Sequence, residues 1–202
     1  MRSLAADPIL DVGASTGQLG RLIADTGLTI DGIEPDAAAA AEAAPFYRSV
    51  QHSTVEDAAL PERTYRVVVC ADVLEHLQEP EIQLRRLVAS ATDDAVIIIS
   101  LPNVAHLAAR VLLLAGKFPR HARGIFDRTH RHFYTRDTVI ELLWAANLSV
   151  SSIEVTPVPL EEVWPATWPP SGREALMRGQ SAAGRLAPRL FGFQWLVIAK
   201  RE

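Results

Sequence analysis

The sequence predicts a single α/β domain, a doubly wound and mostly parallel sheet of seven strands with helices on both faces. Three observations predict it. Short apolar runs alternate with stretches of helical apolar spacing, the pattern of βαβ crossovers. The strongest run, Tyr65–Ala71, is valine-rich, as a parallel strand buried on both faces should be. A loop of small residues at 13–17 follows the first run and opens a helix, which is how such sheets build their ligand-binding end.

The elements follow in order. Ile9–Val12 reads as a short buried strand ending at Gly13, and Leu19, Leu22 and Ile23 then mark one apolar helix face. Residues 28–33 form a second strand and the alanine-rich 37–44 a second helix, stopped by Pro45. Residues 46–51 are a weaker third strand, and Tyr65–Ala71 is the fourth. After Pro80 a helix turns Leu84, Leu87, Val88 and Ala91 inward, and the strand 95–101 is stopped by Pro102. Thr135 is placed to cap another helix, with Val139, Ile140, Leu143 and Trp144 facing inward. Strands at 150–155 and 195–199 complete the seven. Between them, 157–193 reads as one long irregular insertion carrying Trp164 and Trp168, the kind of loop that serves as a lid. With no internal repeat or linker, residues 1–202 form one domain.

A chain of 202 residues buries roughly 70% of its unfolded surface, enough for a core without staples. Its 49% hydrophobic and 22% charged residues are ordinary for a globular protein. The net charge of −4 offers no broad basic field, so nucleic acid is not expected as a partner. Cys70 is the only cysteine, so no internal disulfide forms, and its apolar flanks make it a buried, inert thiol. No run approaches the ~20 apolar residues of a membrane span. The first residues lack a signal-peptide core, so a cytoplasmic location is expected.

Chemistry concentrates after the first strand, in Asp11-Val12-Gly13-Ala14-Ser15-Thr16-Gly17-Gln18-Leu19-Gly20. Small residues let the backbone turn sharply and approach a ligand where the helix offers unpaired N–H groups. Glu34 follows Gly13 by 21 positions and closes the second strand, where an acid accepts both ribose hydroxyls. The dinucleotide pattern G-x-G-x-x-G fits poorly, since counting from Gly13 meets Ser15 and then Gln18. Asp11 also stands where that pattern has an apolar residue. A nicotinamide-dependent oxidoreductase is therefore a disfavoured rival. A non-catalytic cofactor-binding partner protein is a second one, because binding motifs survive without turnover.

Together these segments resemble class I S-adenosylmethionine-dependent methyltransferases. Residues 9–17 are similar to their first motif, and Ile33-Glu34-Pro35-Asp36 to their second-strand acid. Cys70-Ala71-Asp72-Val73-Leu74-Glu75-His76-Leu77 resembles the run after the fourth strand in O-methyltransferases of the ubiquinone-biosynthesis type. The resemblance implies S-adenosylmethionine as cofactor and S-adenosylhomocysteine as product. It implies that Asp11, Gly13, Ala14 and Gly17 hold the methionine part, with Ser15 replacing a middle glycine at an expected negative φ. Glu34, followed by Pro35, would bind the ribose. Thr54, Val55 and Glu56 would lie beside the adenine. Ala71, Asp72, Val73 and Leu74 would line the floor near the methyl group. Thr54 replaces a frequent aspartate, which passes the adenine amine to Glu56 or a main-chain carbonyl.

Gly124-Ile125-Phe126-Asp127-Arg128-Thr129-His130-Arg131-His132-Phe133-Tyr134-Thr135 resembles a stretch of methyltransferases associated with polysaccharide and glycosyl-transfer functions. It implies a small-molecule acceptor, a sugar or glycosylated metabolite methylated at oxygen. His130 is the candidate general base, since imidazole takes a proton near neutral pH, and Asp127 would orient it or bind the acceptor. The competing reading makes Asp127, Arg128 and Thr129 a structural knot before the next helix. His76 stands near the methyl group or packs at the start of its helix. No Cys/His cluster has metal-site spacing along the chain, so no metal is expected. The apolar run 104–114 reads first as core, with an acceptor lining or a homodimer contact as alternatives.

Overall fold

The computed structural model describes residues 7–159 and 170–202, with side chains from residue 176 onward in the second stretch. Its strands are β1 (Ile9–Val12), β2 (Ile30–Glu34), β3 (Ser49–His52), β4 (Tyr65–Ala71), β5 (Ala91–Pro102), β6 (Leu148–Thr156) and β7 (Gln194–Arg201). They join in the order β3-β2-β1-β4-β5-β7-β6. The first five pair in parallel, and β7 runs antiparallel to both β5 and β6. This is the doubly wound sheet expected from the sequence. The third strand starts later than residue 46 because Ala44–Phe46, with Pro45 at its start, forms a 3₁₀ turn.

The helices are α1 (Gln18–Ile23), α2 (Ala37–Ala43), α3 (Pro80–Ser90), α4 (Leu107–Leu114), α5 (Arg136–Ala145), α6 (Pro170–Leu186) and α7 (Pro188–Phe191). Asp36 caps α2 by accepting from the Ala39 N–H. Thr135 caps α5 as its position suggests, in a reciprocal box with Thr138. On one face of the sheet, Leu10, Val68 and Ile97 pack with Leu84 and Leu87 of α3 and Leu143 of α5. Ile9, Ile30, Ala43 and Tyr47 form the smaller core on the other. Cys70 is fully buried, and burial pushes its thiol far above the ordinary value, so it is inert.

Four expectations need correction. Leu22 is 81% exposed and Trp144 63% exposed, so each stands outside the apolar face assigned to it. The run 104–114 is core only in part: Ala109, with Val104 and Leu112, packs against Ile125 and Phe126, while Leu107, Val111, Leu113 and Leu114 of α4 are exposed. The stretch 157–193 is not irregular throughout, because α6 and α7 occupy much of it. Gly179 and Gly184 lower the helical propensity of α6 and hid it from the sequence reading. Trp164, Trp168 and residues 160–169 generally lie outside the described residues. Among the described residues no helix is long and apolar enough to cross a membrane.

Asp31 anchors the edge of the sheet. It lies in the middle of β2 at 4% exposure and accepts hydrogen bonds from Arg48 Nε at 3.0 Å, Ser49 Oγ at 2.7 Å and Tyr65 Oη at 3.2 Å. Burial opposes its ionisation, but the bonds from Arg48, Ser49 and Tyr65 outweigh it and hold the carboxyl below its ordinary 3.8. A depressed folded value adds stability above the unfolded value, and that stability is lost as pH falls through the folded one. Asp31→Asn is expected to cost about 1–2 kcal/mol in urea unfolding at pH 7. As pH falls through the depressed folded value of Asp31 the gap should shrink; a gap that stays the same down the acid limb would contradict this account.

Candidate active site

The strand order reverses at β1, so the chain leaves β1 and β4 in opposite directions and opens a crevice at their carboxyl ends. Gly13 turns there with φ 77°, and a Cβ would lie 2.7 Å from Val73 Cγ2, so glycine is required on both counts. Ser15 has φ 47°, left-handed and opposite to the negative angle expected. A specific bond accompanies that conformation: the Ser15 N–H donates to Glu34 Oε2 at 2.8 Å. The other oxygen of Glu34 accepts the Asp36 N–H at 2.9 Å. One carboxylate at the end of β2 thus ties the loop after β1 to the loop after β2.

A second link lies beneath. Tyr47 Oη donates to Asp11 Oδ2 at 2.5 Å and accepts the Gly20 N–H at 3.3 Å. Its ring fits only because Gly20 lacks a Cβ, which would stand 2.5 Å from Tyr47 Cε2. Burial, partly offset by the tyrosine bond, raises the Asp11 carboxyl above its ordinary value.

The crevice is a cavity of about 470 Å³. Gly13, Ser15, Glu34 and Pro35 form one wall, Thr54, Val55 and Glu56 a second, and Ala71 and Asp72 the floor. Val73 joins the floor as expected, and Ile33 and Leu77 supply apolar surface that the sequence reading did not single out. Four residues expected to touch the ligand stand behind the wall instead. Asp11 is committed to Tyr47, and Ala14 is buried at 3% exposure. Gly17 backs onto α2, where a Cβ would meet Ala43 Cα at 2.8 Å, and Leu74 is fully buried in the core.

A second cavity, about 430 Å³, adjoins the first, and Asp72 and His76 line both. Asp72, at φ 55°, accepts from Ser100 Oγ at 2.9 Å and from Gln194 Nε2 at 2.8 Å. Asp127 and His130 also face this cavity. Asp127 Oδ1 accepts the Thr129 N–H at 2.7 Å and the Thr129 hydroxyl at 2.5 Å. Burial opposes its ionisation, yet the two Thr129 bonds prevail and its pKa falls. Asp127 makes the turn that the knot reading expects, and it meets His130 through its main-chain carbonyl, which accepts the His130 N–H at 3.2 Å. His130 is 7% exposed, with Nδ1 3.2 Å from the Ile125 carbonyl oxygen. Desolvation lowers its pKa, so the ring is neutral at pH 7.

The sequence reading missed Glu75. It is 1% exposed, and neither carboxylate oxygen has a hydrogen-bond partner. Burial pushes its pKa up to about 8. His130 Nε2 stands 3.9 Å from Glu75 Oε1, and the rings of His76 and His130 meet edge to face at 4.8 Å. The available signal was position: Glu75 sits between Leu74 and Leu77, both buried, directly after the fourth strand. No metal was expected from spacing along the chain, yet folding gathers Glu75, His76 and His130 with one ligand atom of each within 4.8 Å of the others.

Comparison with known proteins agrees with this architecture. No curated protein matches the chain. A SAM-dependent methyltransferase from Archaeoglobus fulgidus superposes with a TM-score of 0.68 at 19% identity, over 98% of this chain and 87% of that one. One from Mesorhizobium loti gives 0.66 at 12% identity, over 100% and 94%. Magnesium protoporphyrin IX methyltransferase from Synechocystis, solved with bound SAH, gives 0.60 at 16% identity, over 96% and 73%. At these identities the likeness shows the fold. A family model described as a methyltransferase domain matches residues 3–153, most of the chain. The chain belongs to that methyltransferase domain family.

Proposed function

We propose that this protein is an S-adenosylmethionine-dependent methyltransferase acting on an oxygen of a small, hydroxyl-bearing acceptor, such as a sugar or a glycosylated metabolite. One observation carries the reading: two cavities of ligand size meet at Asp72 and His76, one walled by the Glu34 loops and the other by a set of polar side chains. Methyl transfer needs that arrangement, because donor and acceptor must be held in line at close range, an orientation worth up to ~7–11 kcal/mol.

The cofactor supplies a methyl group on a sulfonium, open to displacement from the side opposite sulfur. The chain's residues suit it. Glu34 spends one lone pair of each oxygen on Ser15 and Asp36, which leaves the others for the two ribose hydroxyls. Val55 and Ile33 offer flat apolar contact for the adenine, with Thr54 and Glu56 beside them. Gly13 keeps the backbone close to the methionine part, and Asp11 acts through Tyr47 as a positioning residue behind that loop. Asp72 and His76 stand where the methyl group crosses. In the second cavity Asp127, Gln194 and His130 suit a hydroxyl-rich molecule, in keeping with the polysaccharide-associated resemblance of residues 124–135.

Two outcomes are expected. S-adenosylhomocysteine at 100 times its Kd should add ~2.7 kcal/mol of stability, a rise of about 5–10 °C in Tm by scanning fluorimetry. A rise with NAD and none with the sulfur compounds would overturn the class. In calorimetric titration, Glu34→Ala should weaken S-adenosylhomocysteine at least tenfold, about 1.4 kcal/mol, while His130→Ala leaves its Kd within about twofold. Equal Kd values for Glu34→Ala and wild type would remove Glu34 from the ribose.

A further inference from the structure

Glu75 poses the sharpest physical question in the molecule. A carboxyl group with both oxygens buried and unpartnered is unfavourable, and a bound species would relieve that cost. What faces it is a pair of imidazoles, and their hydrogen bonds fix which nitrogen carries the lone pair. The His130 Nδ1–H donates to the Ile125 carbonyl, so Nε2, 3.9 Å from Glu75 Oε1, is the lone-pair nitrogen. For His76 the argument takes one more step. The Thr129 hydroxyl gives its hydrogen to Asp127, so its oxygen accepts from His76 Nδ1–H at 3.1 Å. That leaves Nε2 of His76 as the bare nitrogen too.

We propose that Glu75, His76 and His130 form a binding site for one divalent transition-metal cation of the zinc type, open toward the acceptor cavity. One ligand atom of each residue lies within 4.8 Å of the others, and side-chain rotation would bring the three onto an ion bonded at ~2.0–2.2 Å. Two imidazoles and one carboxylate make a three-ligand set that leaves a coordination position free. The main-chain carbonyl on His130 and the Asp127–Thr129 relay on His76 are the outer contacts that orient ligating histidines. Lone pairs that a free imidazole base would use are then spent on the ion. If the methyltransferase reading holds, on which this role alone rests, the free position takes the acceptor hydroxyl and lowers its pKa.

The test uses the full chain, stripped with chelator and dialysed against zinc, with metal content read by mass spectrometry and Kd by competition with a chromophoric chelator. The expected result is one zinc per chain. Glu75→Gln, His76→Asn and His130→Asn each weaken it at least about 100-fold, and His121→Asn leaves it unchanged. Thr129→Val, which removes the relay, should weaken it about 10–100-fold. Cobalt in place of zinc should show the strong visible absorption of a four-coordinate site, lost in the same variants. Circular dichroism checks folding, and if Glu75→Gln unfolds, the partly exposed His76 decides through His76→Asn. Less than about 0.1 zinc per chain, or equal affinity in all three ligand variants, overturns the proposal. Stabilisation by S-adenosylhomocysteine without zinc binding overturns this site alone; zinc binding without that stabilisation overturns the methyltransferase reading alone.

Discussion

The Glu34 carboxylate holds the ligand-binding end of this molecule in shape. A parallel sheet ends in loops whose backbone N–H groups have no strand to pair with, and at the switch point two such loops must be kept apart yet in register. Glu34 does both by taking one N–H from each, at Ser15 and at Asp36. Because these are charge-assisted bonds in a partly buried place, each is worth more than a neutral turn bond. The left-handed Ser15 sits where one of them is made. Behind the loop, Tyr47 fills the space left by Gly20 and Gly32 and ties the buried Asp11 to the start of α1. The cavity wall is therefore set from two sides before any ligand arrives.

Buried acids in this fold divide by whether the protein itself satisfies them. Asp31 is surrounded by donors and its carboxyl is depressed, which marks it as a structural anchor remote from the cavities. Asp11 has one strong donor, Tyr47, and is raised, and it stands beneath the loop after β1. Glu75 has none and is raised furthest of the three. A group left without partners in the lining of a cavity is where a bound species contributes most, since it removes a penalty as well as adding a contact.

The polar cavity is bounded by elements that the alternation of strand and helix did not reveal. Leu107, Val111 and Leu112 of α4 face Leu176 and Ala183 of α6 across an apolar cleft of about 780 Å³. Val158 lines both this cleft and the polar cavity. The greasy run of α4 thus flanks the polar cavity without entering the main core.

The order of strands and helices, the Gly13 turn and the acid at Glu34 were all legible from the sequence, because each rests on local chemistry: side-chain periodicity, the absence of a Cβ, or the position of one residue at a strand end. Thr135 was legible as a cap for the same reason. Tertiary structure alone decided the rest. Asp127 joins Thr129 and reaches His130 through its backbone, where the sequence left orientation of that ring open. Asp11 and Leu74 stand outside the cavity lining because Tyr47 and the core claim them. Glu75 meets His130 across 55 positions of chain, a distance that no periodicity spans. Contacts within one turn are written in neighbouring residues, whereas a cluster drawn from two loops exists only once the sheet has brought their ends together.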